Sequence, residues 1–178
     1  MSNYADDSRF PGPDPYAPLK KLPSFELHSD DFSHGDKLND IHAAPQHISP
    51  HLAWSQLPEG TQSLAITCFD PDAPTAAGYW HWAVFNIPVS VQEVSQGGSV
   101  DLAQLPGVTE LENDAGTIGY YGPQPPAGHG PHRYLFAVHA VDVSELDITP
   151  ESTPTVLGFN LYFHSIARSI IWGWYENT

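Results

Sequence analysis

The sequence predicts a mainly β protein, in which a large antiparallel sheet is covered by a helix near the C-terminus. Of the 178 residues, 18 are proline and 14 are glycine, which favours many short elements joined by turns over a helical bundle. Hydrophobic residues make up 40% of the chain and aromatic residues 12%, enough for a buried core. Several segments alternate with the two-residue period of strands, and one C-terminal segment changes to a helical period.

Three segments are the clearest strand candidates. Residues 63–69 are apolar or β-compatible on both faces, which is typical of a central strand buried on both sides. Residues 80–87 and 134–141 alternate between two sets of apolar and polar side chains. In the first of these, alternation places His81 on the same face as Ala83 and Phe85. Shorter strands are predicted at residues 22–27, 108–111 and 118–121, and a loop at residues 92–106.

A C-terminal helix is predicted over residues 156–175. Thr153 and Pro154 make a suitable start, because proline is favoured in the first turn of a helix. The predicted apolar face repeats at three or four positions and consists of Phe159, Phe163, Ile166, Ile170 and Trp174.

The chain is expected to form one domain over residues 19–178, preceded by an extended or partly mobile arm over residues 1–18. Cys68 is the only cysteine, so no intrachain disulfide is expected. The formal net charge of −15 disfavours nucleic acid and anionic membranes as partners. No apolar run is long enough for an integral membrane segment, and no secretory signal is evident, so the cytoplasm is the expected location.

Residues 68–88 contain the first polar cluster. Asp70 and Asp72 follow a strand and are separated by Pro71, and His81 comes ten residues later. Two acids fixed among prolines are more rigid than a turn requires, and both a structural turn and a binding site fit this pattern. A cis peptide bond is an option at Asp70–Pro71 or at Ala73–Pro74, because such bonds occur in tight proline turns.

Residues 119–134 supply the second cluster, with His129, His132 and Arg133 after a run of glycines and prolines. Histidine and arginine can donate hydrogen bonds to an anion, but Arg133 could instead pair with Asp70 or Asp72. Successive strand residues point to opposite faces, so His132 and Tyr134 are expected on one face and Arg133 on the other. We therefore expect the two polar stretches to enclose one small pocket.

Two other chemistries are alternatives to an anion pocket. Metal ligation by Asp70, Asp72, His81 and His132 would suit a transition metal, but no compact ligand motif supports it. Serine hydrolase activity is not supported, because the sequence contains no Gly-x-Ser-x-Gly elbow. No metal and no cofactor are therefore expected.

The two clusters resemble the two signatures of the phosphatidylethanolamine-binding protein family, in its bacterial Raf kinase inhibitor-like branch. The first signature is matched by residues 70–74 and 80–88, and the second by residues 121–134. The resemblance implies a large central antiparallel sheet, a smaller second sheet and a C-terminal helix. It also implies a pocket for phosphate, carboxylate or a phosphorylated head group. The residues it places in or near that pocket are Asp70, Asp72, His81, Tyr120, Gly122, His132 and Tyr134.

The expected function is non-enzymatic binding of a small anion or a phosphoethanolamine-type head group, with regulation of a protein partner such as a kinase. A binding function of this kind requires no catalytic residue, and none is expected. The resemblance implies that His81 and His132 donate hydrogen bonds to the anion, and that the acids orient the histidines or bind an amine such as ethanolamine. Two alternatives stay open: a hydrolase or lyase that uses His81 or His132 as acid or base, and an interaction module with a vestigial pocket. A homodimer is also an open alternative.

Overall fold

The computed structural model describes residues 7–178, which form two antiparallel sheets and a few helices. This confirms the predicted mainly β fold with a large and a small sheet. The strands are β1 (Glu26–His28), β2 (Leu52–Ser55), β3 (Ser63–Asp70), β4 (Tyr79–Pro88), β5 (Glu93–Val94), β6 (Thr109–Glu110), β7 (His132–Val141) and β8 (Ser165–Tyr175). The α-helices are α1 (Ser99–Leu102) and α2 (Pro154–His164), and a 3₁₀ turn spans Asp40–His42. No helix within residues 7–178 is long and apolar enough to cross a membrane.

The five-stranded sheet has the order β6-β4-β3-β7-β8, and the three-stranded sheet has the order β1-β2-β5. One face of the large sheet packs against the small sheet through a core that includes Ile66 of β3, Phe136 of β7 and Trp54 of β2. The opposite face is covered by α2, through Leu157 and Leu161. As predicted, β3 is a central strand that is buried on both sides.

The predicted helix over residues 156–175 is wrong beyond His164, because the chain continues as the strand β8. Isoleucine and the aromatic residues from Ile166 to Tyr175 suit a pleated, half-buried surface, and β8 pairs with β7 along its whole length. The predicted apolar helix face is also wrong, because Phe159 and Phe163 are exposed and the buried positions are Leu157 and Leu161. The start is as predicted: Thr153 accepts a hydrogen bond from the backbone N–H of Val156, and Pro154 follows it.

The shorter elements differ in detail from the prediction. The first strand is Glu26–His28 rather than residues 22–27, and the strand predicted at 108–111 is the two-residue β6. Residues 118–121 form no strand and make only an isolated bridge from Ile118 to Glu112. The loop predicted at 92–106 contains β5 and α1. Among residues 7–178 the cis peptide bond is Ala44–Pro45, rather than one of the two bonds in the Asp70 turn.

The N-terminal residues lie on the face of the large sheet that also carries α2. Phe10 is buried and packs edge-on against Trp172, with their ring centroids 5.6 Å apart. Residues 1–6 lie outside the described residues, so the arm over residues 1–18 and a domain boundary at residue 19 stay predictions.

Gly122 and Tyr120 hold the segment around His42 against the second polar stretch. The Tyr120 hydroxyl donates a hydrogen bond to the backbone oxygen of His42 at 2.9 Å. The N–H of Gly122 donates to Nδ1 of His47 at 3.0 Å, and a Cβ at position 122 would overlap the His42 carbonyl oxygen. Because that obstacle is backbone, it cannot move aside as a flexible side chain would.

Gly122→Ala is therefore expected to destabilise the fold by about 1–3 kcal/mol, the usual cost of overpacking. The control is Gly158→Ala in α2, where an added Cβ meets no atom within 4 Å. That change is expected to stabilise the fold by about 0.5–1 kcal/mol, because glycine is unfavourable within a helix. Urea unfolding of both variants measures the difference, and equal stabilities would refute the packing argument.

His139 of β7 is a buried histidine on the α2 face of the sheet. It is 4% exposed, and its Nδ1 lies 3.2 Å from Oγ of Ser165. Burial, together with the positive charge of Arg168, lowers the pKa of His139 to about 3. The folded state therefore prefers the neutral ring.

Since the pKa of His139 is lower in the folded state than in the unfolded state, its contribution to stability is present above pH 6.5 and is lost as the pH falls towards 3. Between pH 6.5 and 3, this effect of His139 should lower the unfolding free energy by about 1.4 kcal/mol for each unit by which the pH falls. His139→Leu is expected to reduce the slope of the unfolding free energy against pH by the contribution of one proton. Urea unfolding at a series of pH values measures this slope. Identical slopes in both proteins would contradict this.

Candidate functional site

A cavity of about 250 Å³ opens at one end of the large sheet, where β3 ends and β7 begins. It is lined by parts of both polar stretches and by three prolines. The lining residues are Asp70, Ala73, Pro74, Thr75, Tyr79, His81, Tyr121, Gln124, Pro125, Pro126, His132 and Tyr134. The two stretches are therefore brought together, as the sequence predicts.

Asp70 is the buried acid that joins the two stretches. Its Oδ1 accepts hydrogen bonds from the backbone N–H groups of Asp72 at 2.8 Å and Ala73 at 3.0 Å, which closes the turn after β3. Its Oδ2 lies 2.8 Å from Nδ1 of His132. Because a carboxylate only accepts, His132 Nδ1 carries the hydrogen, and this fixes the orientation of the imidazole.

Asp72 lies outside the cavity, although the family resemblance placed it among the pocket residues. Its Oδ1 accepts from Nη2 of Arg133 at 2.7 Å, and its Oδ2 from Nε of the same residue at 2.8 Å. Arg133 is fully buried and also donates from Nη2 to the backbone oxygen of Gly12. Arg133 is thus the ion-pair partner that the alternation along β7 allowed, on the face opposite His132 and Tyr134.

His129 is a residue of the second stretch that the sequence prediction did not assign to the pocket. Its Nδ1 lies 2.8 Å from Nε2 of His132, and its side chain is exposed. The sequence signal for this contact is the spacing of three residues across Gly130 and Pro131. His132 is therefore bonded at both ring nitrogens, to Asp70 and to His129.

His81 reaches the cavity through a bulge in β4. Cys68 lies opposite Trp82 and Phe69 opposite Trp80, so His81 is the extra residue between them. Simple alternation had placed His81 with Ala83 and Phe85, which face α2. The bulge turns it instead towards Tyr134, with 5.0 Å between the two ring centroids.

The protonation state of His81 follows from its surroundings. Its Nδ1 lies 2.6 Å from the backbone oxygen of Tyr121, so Nδ1 carries a hydrogen and donates it. Burial lowers the pKa of His81, and the nearby carboxylate of Asp70 opposes this shift. The ring is therefore neutral near pH 7, with Nε2 unprotonated.

Three tyrosines line the cavity beside the histidines. The Tyr79 ring centroid lies 4.9 Å from that of His81, and the Tyr121 hydroxyl donates to Oε1 of Gln124 at 2.7 Å. Burial raises the pKa of Tyr134 far above its ordinary value, so its hydroxyl stays protonated and can donate. Tyr121 lines the cavity, whereas the family resemblance implied that its neighbour Tyr120 would do so.

Of the seven residues predicted for the pocket, Asp70, His81, His132 and Tyr134 lie together in the cavity lining. Asp72 pairs with Arg133, and Tyr120 and Gly122 contact the segment around His42. Within residues 7–178, no group of three or more His, Cys, Asp or Glu side chains is arranged to hold a metal ion.

Comparison with known proteins identifies the family to which the chain belongs. The family model described as phosphatidylethanolamine-binding protein matches residues 28–176. The protein YbhB of Escherichia coli is 42% identical over 153 residues, which cover 82% of this chain and 96% of YbhB. The crystal structure of E. coli YbcL, described as a new member of the mammalian PEBP family, has a TM-score of 0.81 at 36% identity and covers 87% of this chain and 99% of that one.

A putative phosphatidylethanolamine-binding protein homologue from Chlamydia trachomatis has a TM-score of 0.74 at 32% identity, over 87% of this chain and 99% of that one. A carboxypeptidase Y inhibitor, solved with its proteinase, has a TM-score of 0.53 at 16% identity, over 88% of this chain and 85% of that one, and so shares the fold alone. The sequence match spans both polar stretches and most of both sheets. The chain therefore belongs to the phosphatidylethanolamine-binding protein family.

Proposed function

We propose that the cavity binds a small anion, either phosphate, a carboxylate or the phosphorylated head group of a lipid. The observation that supports this most directly is the placement of two buried imidazoles, His81 and His132, in one cavity wall. Each ring has its Nδ1 fixed by an acceptor, Tyr121 O or Asp70 Oδ2. The Nε2 edges are then the ones that would face a ligand, and at His132 the ligand would replace the His129 ring.

The size of the cavity limits the ligand. Pockets for drug-sized molecules usually enclose roughly 300–1,000 Å³. A volume of about 250 Å³ suits an anion or a head group, and a complete lipid would leave its acyl chains outside. The family description names phosphatidylethanolamine, whose head group contains the phosphate that this proposal requires.

Anion binding at these histidines requires a proton on each Nε2 that contacts the ligand, because an unprotonated nitrogen cannot donate. His81 is neutral near pH 7, so binding would be accompanied by proton uptake at this residue. At His132 the anion would take the position of the exposed His129 ring as the partner of Nε2. The carboxylate of Asp70 would balance the positive charge on His132 while the anion is bound.

The acids act as supports in this proposal, and they do not bind an amine. Asp70 accepts hydrogen bonds from two backbone N–H groups and from His132. Asp72 is occupied by Arg133 through both of its oxygens. The ammonium group of a phosphoethanolamine head group would lie instead against the aromatic rings of Tyr79 and Tyr121 at the cavity wall.

Phosphate is expected to raise the melting temperature of the protein, because a ligand that binds only the folded state stabilises it by mass action. At a phosphate concentration one hundred times the dissociation constant, the gain is about 2.7 kcal/mol. His132→Ala removes a charged donor and is expected to weaken binding roughly tenfold or more. Differential scanning fluorimetry with phosphate and phosphoethanolamine measures both effects.

The control is His164→Ala. His164 also forms a 2.9 Å hydrogen bond to an acid, Asp142, but it lies at the end of α2, outside the cavity lining. Its loss should leave the phosphate effect unchanged. The proposal would be refuted if both variants lost the phosphate-induced rise in melting temperature to the same extent, or if millimolar phosphate did not stabilise the wild type.

Anion affinity is expected to rise as the pH falls from 8 to 5.5, because binding takes up a proton at His81. Sulfate is the better probe here, since its own charge is constant over this range. One linked proton changes the dissociation constant by up to about tenfold per pH unit. His81→Gln supplies an N–H donor at every pH and should reduce the slope by one proton, as measured by titration calorimetry. A pH profile that His81→Gln leaves unchanged would exclude His81 as the group that takes up the proton.

A further inference from the structure

A second cavity lies on the other face of the large sheet, between two separate apolar clusters. In one cluster, Leu157 and Leu161 of α2 pack against the sheet. In the other, Phe10 of the N-terminal segment packs against Trp172. The gap between the clusters encloses about 540 Å³, within the usual range for small-molecule pockets. It shares no lining residue with the anion cavity.

The walls of this cavity are mainly aromatic and aliphatic. They come from β3, β4, α2 and the N-terminal segment, and include Phe69, Trp80, Phe159, Tyr162, Leu161 and Leu22. Phe159 and Tyr162 are largely exposed to water, although each ring packs edge-on against that of Phe163. An apolar body in the gap would cover them.

Polar groups meet at the inner end of the cavity. Thr67 is 1% exposed, and neither its Oγ1 nor the buried hydroxyl of Tyr16 lies in hydrogen-bonding geometry with any partner among residues 7–178. Burial raises the pKa of Tyr16 to about 12, so its hydroxyl stays protonated and can donate. A buried hydroxyl without a partner is costly, so a ligand that supplies one would gain affinity.

The more exposed part of the lining carries positive charge. The chain has only six Lys and Arg residues against a net charge of −15, and Lys20 and Arg168 both line this cavity. The Arg168 guanidinium lies 4.8 Å from the ring centroid of Tyr16 and forms no ion pair with any residue in 7–178. The cavity thus combines an apolar body, an inner hydrogen-bonding end and a cationic outer end.

We propose that this second cavity binds a small amphipathic carboxylic acid with an apolar, aromatic body and a hydroxyl at the far end. The carboxylate lies towards Arg168 and Lys20, the ring lies between Trp80 and α2, and the hydroxyl bonds to Thr67 and Tyr16. This site is independent of the proposed anion cavity, because the two lie on opposite faces of the sheet.

The probe is 3-(4-hydroxyphenyl)propionate, compared with its analogue without the hydroxyl and with its neutral amide. Titration calorimetry on the complete chain is expected to give the tightest binding for the hydroxy acid. Loss of the hydroxyl or of the charge should each weaken binding several-fold. An amide that binds as well as the acid would overturn the role of Arg168 and Lys20.

Gly158→Leu tests the location directly, because Gly158 lines the cavity and a Cβ there meets no atom within 4 Å. The leucine side chain should fill the space and abolish binding of the hydroxy acid, while Gly158→Ala retains it. Excess phosphate and the His132→Ala variant should leave binding of the hydroxy acid unchanged. Displacement by phosphate would assign the acid to the first cavity and refute the second.

Thr67→Val and Arg168→Gln separate the two polar ends. Thr67→Val removes a hydroxyl that forms no hydrogen bond among residues 7–178, so the melting temperature should stay the same or rise. The same change should reduce the affinity of the hydroxy acid to that of its analogue without the hydroxyl. Arg168→Gln should weaken both acids and leave the amide unaffected. Binding that is indifferent to Gly158→Leu and to both of these changes would overturn the proposal.

Discussion

The structure depends on how two acids at the end of β3 hold the first two residues of β7. Asp70 bonds to His132, and Asp72 bonds to Arg133 on the opposite face of the strand. Arg133 is fully buried, and removing one partner of a buried ion pair typically costs about 3–5 kcal/mol. Asp70 also closes the turn after β3 and sets the orientation of the His132 ring. The cavity wall therefore depends on the pairing of β3 with β7 at this end of the sheet.

The two histidines in the cavity have different electrostatic surroundings, and this difference governs what the site can do. His132 donates from Nδ1 to the carboxylate of Asp70, which places a negative charge beside the ring. His81 is bonded to the backbone oxygen of Tyr121, and burial lowers its pKa. An anion would therefore meet one histidine that lies beside a counter-charge, His132, and one that is bonded to a neutral carbonyl group, His81.

Much of the fold and part of the site could be predicted from the sequence. The central strand β3 and the pairing of the two polar stretches followed from local patterns, because both are encoded in short continuous segments. The strand β8 was not predicted, because Ile166, Ile170 and Trp174 fit a helical period as well as a two-residue one. Only the pairing with β7, which is distant along the chain, selects the strand.

The errors in the site have equally specific causes. The bulge at His81 adds one residue to β4, so simple alternation placed this side chain on the wrong face. Asp70 and Asp72 look equivalent in the sequence, and their division between the cavity and Arg133 is decided by the two faces of β7. The backbone contact of Gly122 with the segment around His42 joins two parts of the chain whose separation no local pattern reveals.

The ion pair of Asp72 with Arg133 connects the two cavities, although it lines neither of them. Nη2 of Arg133 donates to the backbone oxygen of Gly12, and its guanidinium lies 5.2 Å from the ring centroid of Phe10. These contacts hold the N-terminal segment on the sheet, and the same segment supplies Tyr16 to the second cavity. Asp72 therefore supports the wall of the second cavity through Arg133, whereas Asp70 supports the anion cavity through His132. Two acids that are separated by a single proline in the sequence thus serve opposite faces of one sheet.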